Sequence, residues 1–347
     1  MTDKDISTRP RRRTTLGDVA QRAGVSAVTV SRVLREPHLV SETLRERVAT
    51  AASDLGYVPN RLASALASAQ TNTIGVVVPS LTNGVFNDFL SALHNVFLPA
   101  GFQLLVLNSR YTDANEEKAI ATLLGHHPEA MIVTGVDQTP GARRMLQHAG
   151  VPVVQVMELT DRPIDINIGL SQVEAGHAAL RFLMERGCCR IAHLMAPLDA
   201  RAVRRREAFE QEMVSRGMEP LVIASTRPTS VPLGAELLAA LIERHPDVDA
   251  VWCSSDNLAL GALFECDRRG IRVPEDISFM GFNDLEFCSI AHPAITSVAT
   301  PRYEMGERTA EIVLEIIRGS GKRPEERRID MGFEIRERDS TRKAPRP

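Results

Sequence analysis

The chain has 347 residues, and at roughly 100–200 residues per domain it can hold two or three domains around a sizeable core. With 44% hydrophobic and 24% charged residues and no short period, it is neither a disordered chain nor a collagen-like or coiled-coil one. The net charge of −3 is unevenly spread: residues 1–61 hold 11 Lys/Arg and 7 Asp/Glu, or +4, which leaves −7 on the remainder.

Arg9, Arg11, Arg12 and Arg13 have no apolar run behind them, so the start of the chain does not read as a secretory signal. Residues 1–13 read as a disordered basic tail. The longest apolar runs, such as Ile74–Val78, are strand-length and far short of the ~20 residues that span a bilayer. Cys188, Cys189, Cys253, Cys266 and Cys288 are odd in number and contain no C-x-x-C pair. They fit a reduced, cytoplasmic protein without a disulfide framework.

The next 45 residues, 14–58, read as three short helices. Leu16, Val19 and Ala20 share one helical face, with Thr14 or Thr15 placed to cap it, and Gly24 breaks the pattern. Ser26 caps a second helix running to about Leu34. Pro37 ends the following loop, and Ser41 opens a third helix, with Leu44, Val48, Ala51, Ala52 and Leu55 on one face and Gly56 and Pro59 as its stop. Two short helices joined by a glycine turn, with a third behind, form a helix-turn-helix, whose second helix enters the major groove. On that helix Arg32 carries the fork that suits guanine. Thr29 and Ser31 offer hydroxyls to phosphate, and Ala27 and Val28 offer close apolar contact.

Residues 60–70 form a small-residue amphipathic segment, after which the texture changes. Strand-like runs occur at 74–79, 102–108, 130–135, 151–157, 190–195, 249–255 and 276–282, most of them separated by helical stretches. That alternation predicts parallel sheets with helices on both faces, divided into two α/β subdomains.

The run TLGDVAQRAGVSAVTVSRVLREPHLVSETLRERVATAASDLGYVPNRLASAL (15–66) resembles the DNA-binding head of the LacI/GalR family of bacterial regulators almost position by position. IGVVVP (74–79), VPEDISFMGFND (273–284) and HPAITSVATPRYEMGERTAEIVLEII (292–317) resemble that family's core landmarks. The resemblance implies an all-α helix-turn-helix head at 14–58, a hinge helix at 59–71 and a periplasmic-binding-protein-like α/β core. It divides the core into a first subdomain of 72–169 and 299–325 and a second of 170–298 and 326–340. It implies base reading by Ala27, Val28 and Arg32, and phosphate contacts by Thr15, Ser26, Thr29 and Asn60, with Arg35 a possible addition. It also implies minor-groove insertion of Leu66, with Ala63 and Ala67 small enough for two hinge helices to meet. A homodimer on a pseudo-palindromic DNA operator follows, and the absence of heptad leucines in 336–347 favours a dimer over a tetramer.

In such a core the small-molecule effector sits between the subdomains, at the carboxyl ends of the strands. Those ends offer Thr82, Asn83 and Phe86, then Thr134–Asp137, Glu158, Asp256 and Asn283. In RRREAFEQEM (204–213), which is similar to the family's R-x-x-G-[FY] helix with Ala208 in place of glycine, Arg205 takes the clamping position. The flanking Arg204 and Arg206 leave open which arginine faces inward. Many family members carry an acid where Asn283 stands, and an amide there tolerates an anionic ligand better. The segment 151–171 resembles the gluconate-operon repressors of the family. Together these features imply a sugar acid, gluconate or a keto-gluconate, as effector, with a neutral sugar or a protein partner as alternatives. An enzyme built on His177, His193, Cys188 and Cys189 finds no matching zinc spacing or nucleophile motif, and a transport binding protein would not explain the head. No cofactor, metal or membrane partner is expected, and the protein is placed in the bacterial cytoplasm, on the nucleoid when bound to DNA.

Overall fold

A computed structural model describes residues 14–58, 70–196, 199–319 and 321–342. The chain divides into two units, 1–71 and 72–347.

The first unit contains α1 (Leu16–Ala23), α2 (Ala27–Arg35) and α3 (Glu42–Asp54). Thr15 starts α1 with a reciprocal capping box: its side chain accepts from the Asp18 amide, and the Asp18 carboxylate accepts from the Thr15 backbone N–H at 2.7 Å. Gly24 ends the helix at φ 65°, a conformation that costs a residue with a Cβ, and so turns the chain sharply into α2. Ser26 caps α2, accepting from the Thr29 amide at 3.1 Å. Ser41 stands at the start of α3 as expected, but its side chain makes no capping bond. Val19, Ala20, Ala23, Val30, Val33, Val48 and Ala51 meet in one small core, and Arg22 ties α1 to Asp54 of α3 at 2.8 Å. The hinge segment falls mostly at 59–69, outside the described residues, and with it Asn60, Ala63 and Leu66.

The second unit holds two six-stranded sheets. The first has the order β11-β5-β4-β3-β1-β2 and is parallel throughout. Its strands are β1 (Thr73–Val78), β2 (Gln103–Asn108), β3 (Ala130–Thr134), β4 (Val153–Val156), β5 (Ile166–Gly169) and β11 (Arg328–Asp330). Helices α4 (Asn87–Phe97), α5 (Asp113–Gly125) and α6 (Pro140–Gln147) connect the first four. The second sheet has the order β12-β10-β9-β8-β6-β7 and is parallel except for the β10–β12 pair. It comprises β6 (Ile191–Met195), β7 (Leu221–Ala224), β8 (Ala250–Cys253), β9 (Ser278–Asn283), β10 (Thr296–Ala299) and β12 (Glu334–Arg336). Its helices are α7 (Gln172–Glu185), α8 (Ala200–Ser215), α9 (Val231–Arg244) and α10 (Asp256–Arg269). The chain crosses between sheets after β5, after β10 and after β11. The return helix α11 (Arg302–Arg318) packs on α4, where Gly306 lies against Phe89 and Ala92.

Central strands of both sheets are buried on both faces and read as continuous apolar runs, which is why the sequence reveals them. Five strands depart from that pattern. β5 is only INIG, with Asn167 buried but hydrogen-bonded to the Gln155 and Glu158 carbonyls. β7 is a half-exposed edge, β10 is TSVA, and β11 and β12 have three residues each at the sheet margins. The expected division of the core needs one change. The resemblance places 326–340 in the second subdomain, yet β11 pairs with β5 of the first sheet, and only β12 joins the second. Among the described residues, no helix is long and apolar enough to cross a membrane.

Candidate functional site

In the head, α2 presents Ala27, Val28, Arg32 and Arg35 to solvent, and Val28 is 71% exposed. An apolar side chain that exposed at a helix start, beside an arginine, has no role in this small core and fits contact with base edges. The three hydroxyls expected on phosphates are committed to local structure in the free head: Thr15 to the α1 cap, and Ser26 and Thr29 to each other at 2.8 Å. A helix N-terminus in general favours phosphate through its backbone N–H groups.

In the core, the strand ends converge on a cleft between the two sheets. Asn83, Phe86 and Tyr111 line it from the first subdomain, with Met157 at the end of β4. Gln172, Asp199, Arg201, Arg205, Ser254, Ser255, Phe282 and Asn283 line it from the second. Three of these non-glycine residues hold positive φ: Tyr111 at 57°, Met157 at 75° and Asn283 at 100°. Such conformations cost free energy and concentrate at functional sites. Asn83 is fixed by its own turn: its carboxamide oxygen accepts from the Val85 amide at 3.2 Å, and its nitrogen donates to the Tyr111 hydroxyl at 3.1 Å. Burial pushes the Tyr111 hydroxyl above its ordinary pKa, so it stays a neutral donor.

The structure separates the three consecutive arginines of α8, a helix that also carries Arg201. Arg205 turns inward and is 7% exposed. It donates to the Gln172 side chain and to the Ser254 carbonyl at 3.4 Å, and its guanidinium lies 4.0 Å from the Phe282 ring centroid. Gln172 in turn donates to the Met157 carbonyl at 2.9 Å, which holds the arginine's seat in place. Arg205 has no carboxylate in ion-pair reach among the described residues, and its Nε has no partner. Burial brings its pKa down to about 10, so it remains charged at neutral pH. A buried, charged, unpaired guanidinium is costly, and an anion beside it relieves that cost.

Arg201 is balanced within the cleft. Burial opposes its charge, but Asp199 at 2.5 Å outweighs that and holds the guanidinium above its ordinary pKa. Asp199 also caps α8 by accepting from the Ala202 amide at 3.2 Å. Arg204 reaches the lip and meets Asp137, beyond the end of β3, at 2.9 Å and Glu158, beyond β4, at 3.1 Å. Arg206 turns away and lies 3.5 Å from Glu210.

Of the seven residues expected at the effector, Asn83, Phe86, Arg205 and Asn283 line the cleft. The Asn283 side-chain amide makes no hydrogen bond within the described residues and is available. Thr82 is exposed, lies beside Ser80 at 3.3 Å and does not line the cleft, because the turn after β1 folds it outward. Glu158 is 3% exposed and serves the lip rather than the lining. Asp256 is fully buried behind the wall, where it accepts from the Ser297 hydroxyl at 2.6 Å and the Leu285 amide at 2.8 Å. Gly281 is required there, because a Cβ would run into the Asp256 carboxylate. Tyr111, Gln172, Asp199 and Arg201 were missed. All four follow strand ends, so the rule that found the others reaches them once β5 is recognised and β2 and β6 are read through to their ends.

The residues behind an enzymatic reading have structural surroundings. His193 is fully buried against Trp252 and Phe209, and burial brings its pKa down to about 3. His177 lies 3.1 Å from Glu212. Burial raises the Cys188 thiol, which disfavours a thiolate nucleophile. Among the described residues, no group of three His, Cys, Asp or Glu side chains is arranged to hold a metal.

Comparisons agree with this geometry. Residues 15–60 match the bacterial regulatory proteins of the lacI family, and residues 180–341 match a periplasmic binding protein-like domain. The chain is 43% identical to the HTH-type transcriptional regulator GntR of Pseudomonas aeruginosa, over 98% of this chain and 99% of that protein. A LacI family transcriptional regulator from Silicibacter pomeroyi superposes with a TM-score of 0.88 at 34% identity, covering 94% of this chain and 99% of that one. The lac repressor dimer bound to operator and the anti-inducer ONPF superposes with a TM-score of 0.78 at 25% identity, covering 95% and 99%. A regulator's DNA-reading head, an effector-type cleft and full-length similarity to regulators coincide in one chain, which therefore belongs to the LacI family of bacterial transcriptional regulators and is a DNA-binding protein rather than an enzyme.

Proposed function

We propose that the protein acts as a homodimeric repressor on a pseudo-palindromic operator, controlled by a sugar acid of the gluconate type in the cleft. Arg205 holds the carboxylate, and Asn83, Tyr111 and Asn283 bind hydroxyls. The observation that carries this reading is the buried, unpaired charge of Arg205. The amide at 283 supports it, since a carboxylate there would repel an anionic ligand. The resemblance of segment 151–171 to the gluconate-operon repressors of the family supports the same effector class. On DNA, Arg32 reads guanine, Ala27 and Val28 pack on base edges, and Thr15, Ser26, Thr29, Arg35 and Asn60 contact phosphates. Leu66 of each protomer enters the minor groove at the operator centre, with Ala63 letting the two hinge segments approach.

Thermal-shift titration against gluconate, 2-ketogluconate and glucose tests the effector. A ligand at 100 times its dissociation constant stabilises by about 2.7 kcal/mol. Stabilisation by the acids alone supports the proposal. Stabilisation by glucose alone replaces it with a neutral-sugar sensor, and no shift from any of the three favours a protein partner.

A further inference from the structure

We propose that Arg204 is a clasp across the mouth of the cleft, seated on Asp137 and Glu158, and that it favours the closed arrangement in which the effector is held. The effector part of this statement rests on the carboxylate reading of Arg205.

Arg204 comes from α8 of the second subdomain, whereas Asp137 and Glu158 follow β3 and β4 of the first. The guanidinium meets both Asp137 oxygens and one Glu158 oxygen, so one side chain joins two strand ends of the opposite lip. Most exposed ion pairs contribute little, because water competes for both partners. This cluster differs in two respects. Glu158 is 3% exposed, so water competes little for the hydrogen bond that Arg204 donates to it. Asp137 takes the guanidinium through two oxygens, a geometry that fixes direction as well as distance. The hydrogen bond to Asp137 holds Arg204 above its ordinary pKa, so it is charged at any pH the protein meets. Parting the lips would leave Arg204 and Asp137 to water and uncover Glu158. The contact therefore exists in one arrangement of the subdomains and is lost in the other, and it biases their equilibrium without touching the ligand.

The clasp is distinct from the arginines of the ligand wall. Arg205 is unpaired and faces the ligand space, and Arg201 is balanced by Asp199 on its own subdomain. Among the three, only Arg204 has its charge partners on the opposite side of the cleft.

Hydrogen exchange on the full-length, ligand-free protein tests the clasp directly. In Arg204→Gln and in Asp137→Asn, peptides covering 132–138 and 200–206 should exchange several-fold faster than in the wild type, with the sheet centres unchanged. Equal exchange at both lips overturns the proposal. Calorimetric titration with gluconate then tests its function. Each single variant should raise the dissociation constant roughly 3- to 10-fold, and the double variant no more than the larger single effect, because both remove one contact. An unchanged constant, or losses that multiply, overturns the proposal. A wild type that does not bind gluconate removes the carboxylate reading of Arg205, while the exchange rates still decide whether the lips are clasped.

Discussion

Glu158 gives a sharp pH prediction. Its carboxyl is pushed up to about 7 from an ordinary 4.5, because burial penalises the ionised form more than Arg204 and Arg201 favour it, and Asp137 adds repulsion. The folded protein therefore binds this proton more tightly than the unfolded chain. Stability from this group is complete below about pH 4.5 and is lost as the pH rises through 7. A shift of that size, at 1.36 kcal/mol per unit, corresponds to about 3 kcal/mol. Glu158→Gln keeps the shape and removes the titration. The variant should be comparable to the wild type or slightly less stable at pH 5, and should gain on it by about 3 kcal/mol at pH 8. Melting temperatures of both proteins at half-unit steps from pH 5 to 8.5 measure the gain. At roughly 2 °C per kcal/mol for a core of this size, the difference should move by about 6 °C. Taking the difference cancels Asp256, whose carboxyl burial lifts to about 6 and which loses stability in the same direction. A difference that does not change with pH, or that favours the wild type as pH rises, would refute the burial argument.

Two further outcomes follow from the same structure. Ser26→Ala should destabilise the head by about 1 kcal/mol, read as a lower melting temperature of the head, because it removes the only side-chain cap of α2 seen here. Gly281→Ala should lower core stability by 1–3 kcal/mol in denaturant titration, since its Cβ meets a fixed carboxylate that is already bonded to Ser297 and Leu285. A neutral result would show that Asp256 can move.

Much of the fold was legible because its strongest elements obey simple rules. β1, β3 and β8 are unbroken apolar runs buried on both faces, and α1 and α2 carry Thr15, Gly24 and Ser26 at their ends. The strands that escaped notice are short, or polar where side chains find hydrogen bonds, as Asn167 does in β5. β11 and β12 belong to different sheets, one crossing apart, yet β12 begins four positions after β11 ends. No local pattern separates them, so the boundary near residue 330 could be found only from the pairing. At the site, the rule of strand ends selected the right turns but not the direction of each side chain. Adjacent residues on a turn face opposite ways: Asn83 inward and Thr82 outward, Ser255 on the wall and Asp256 behind it. Among three consecutive arginines, helical geometry sends only Arg205 into the cleft; resemblance to the family pointed to it, but sequence spacing left the choice open.

The most direct test of the central claim is calorimetric titration of gluconate and glucose into the wild type and Arg205→Gln. The wild type should bind gluconate and not glucose. The variant should bind gluconate roughly 100-fold more weakly, as expected for loss of a charge-assisted hydrogen bond in a buried site. Equal gluconate affinity in the two proteins, or wild-type binding of glucose in preference to gluconate, would contradict it.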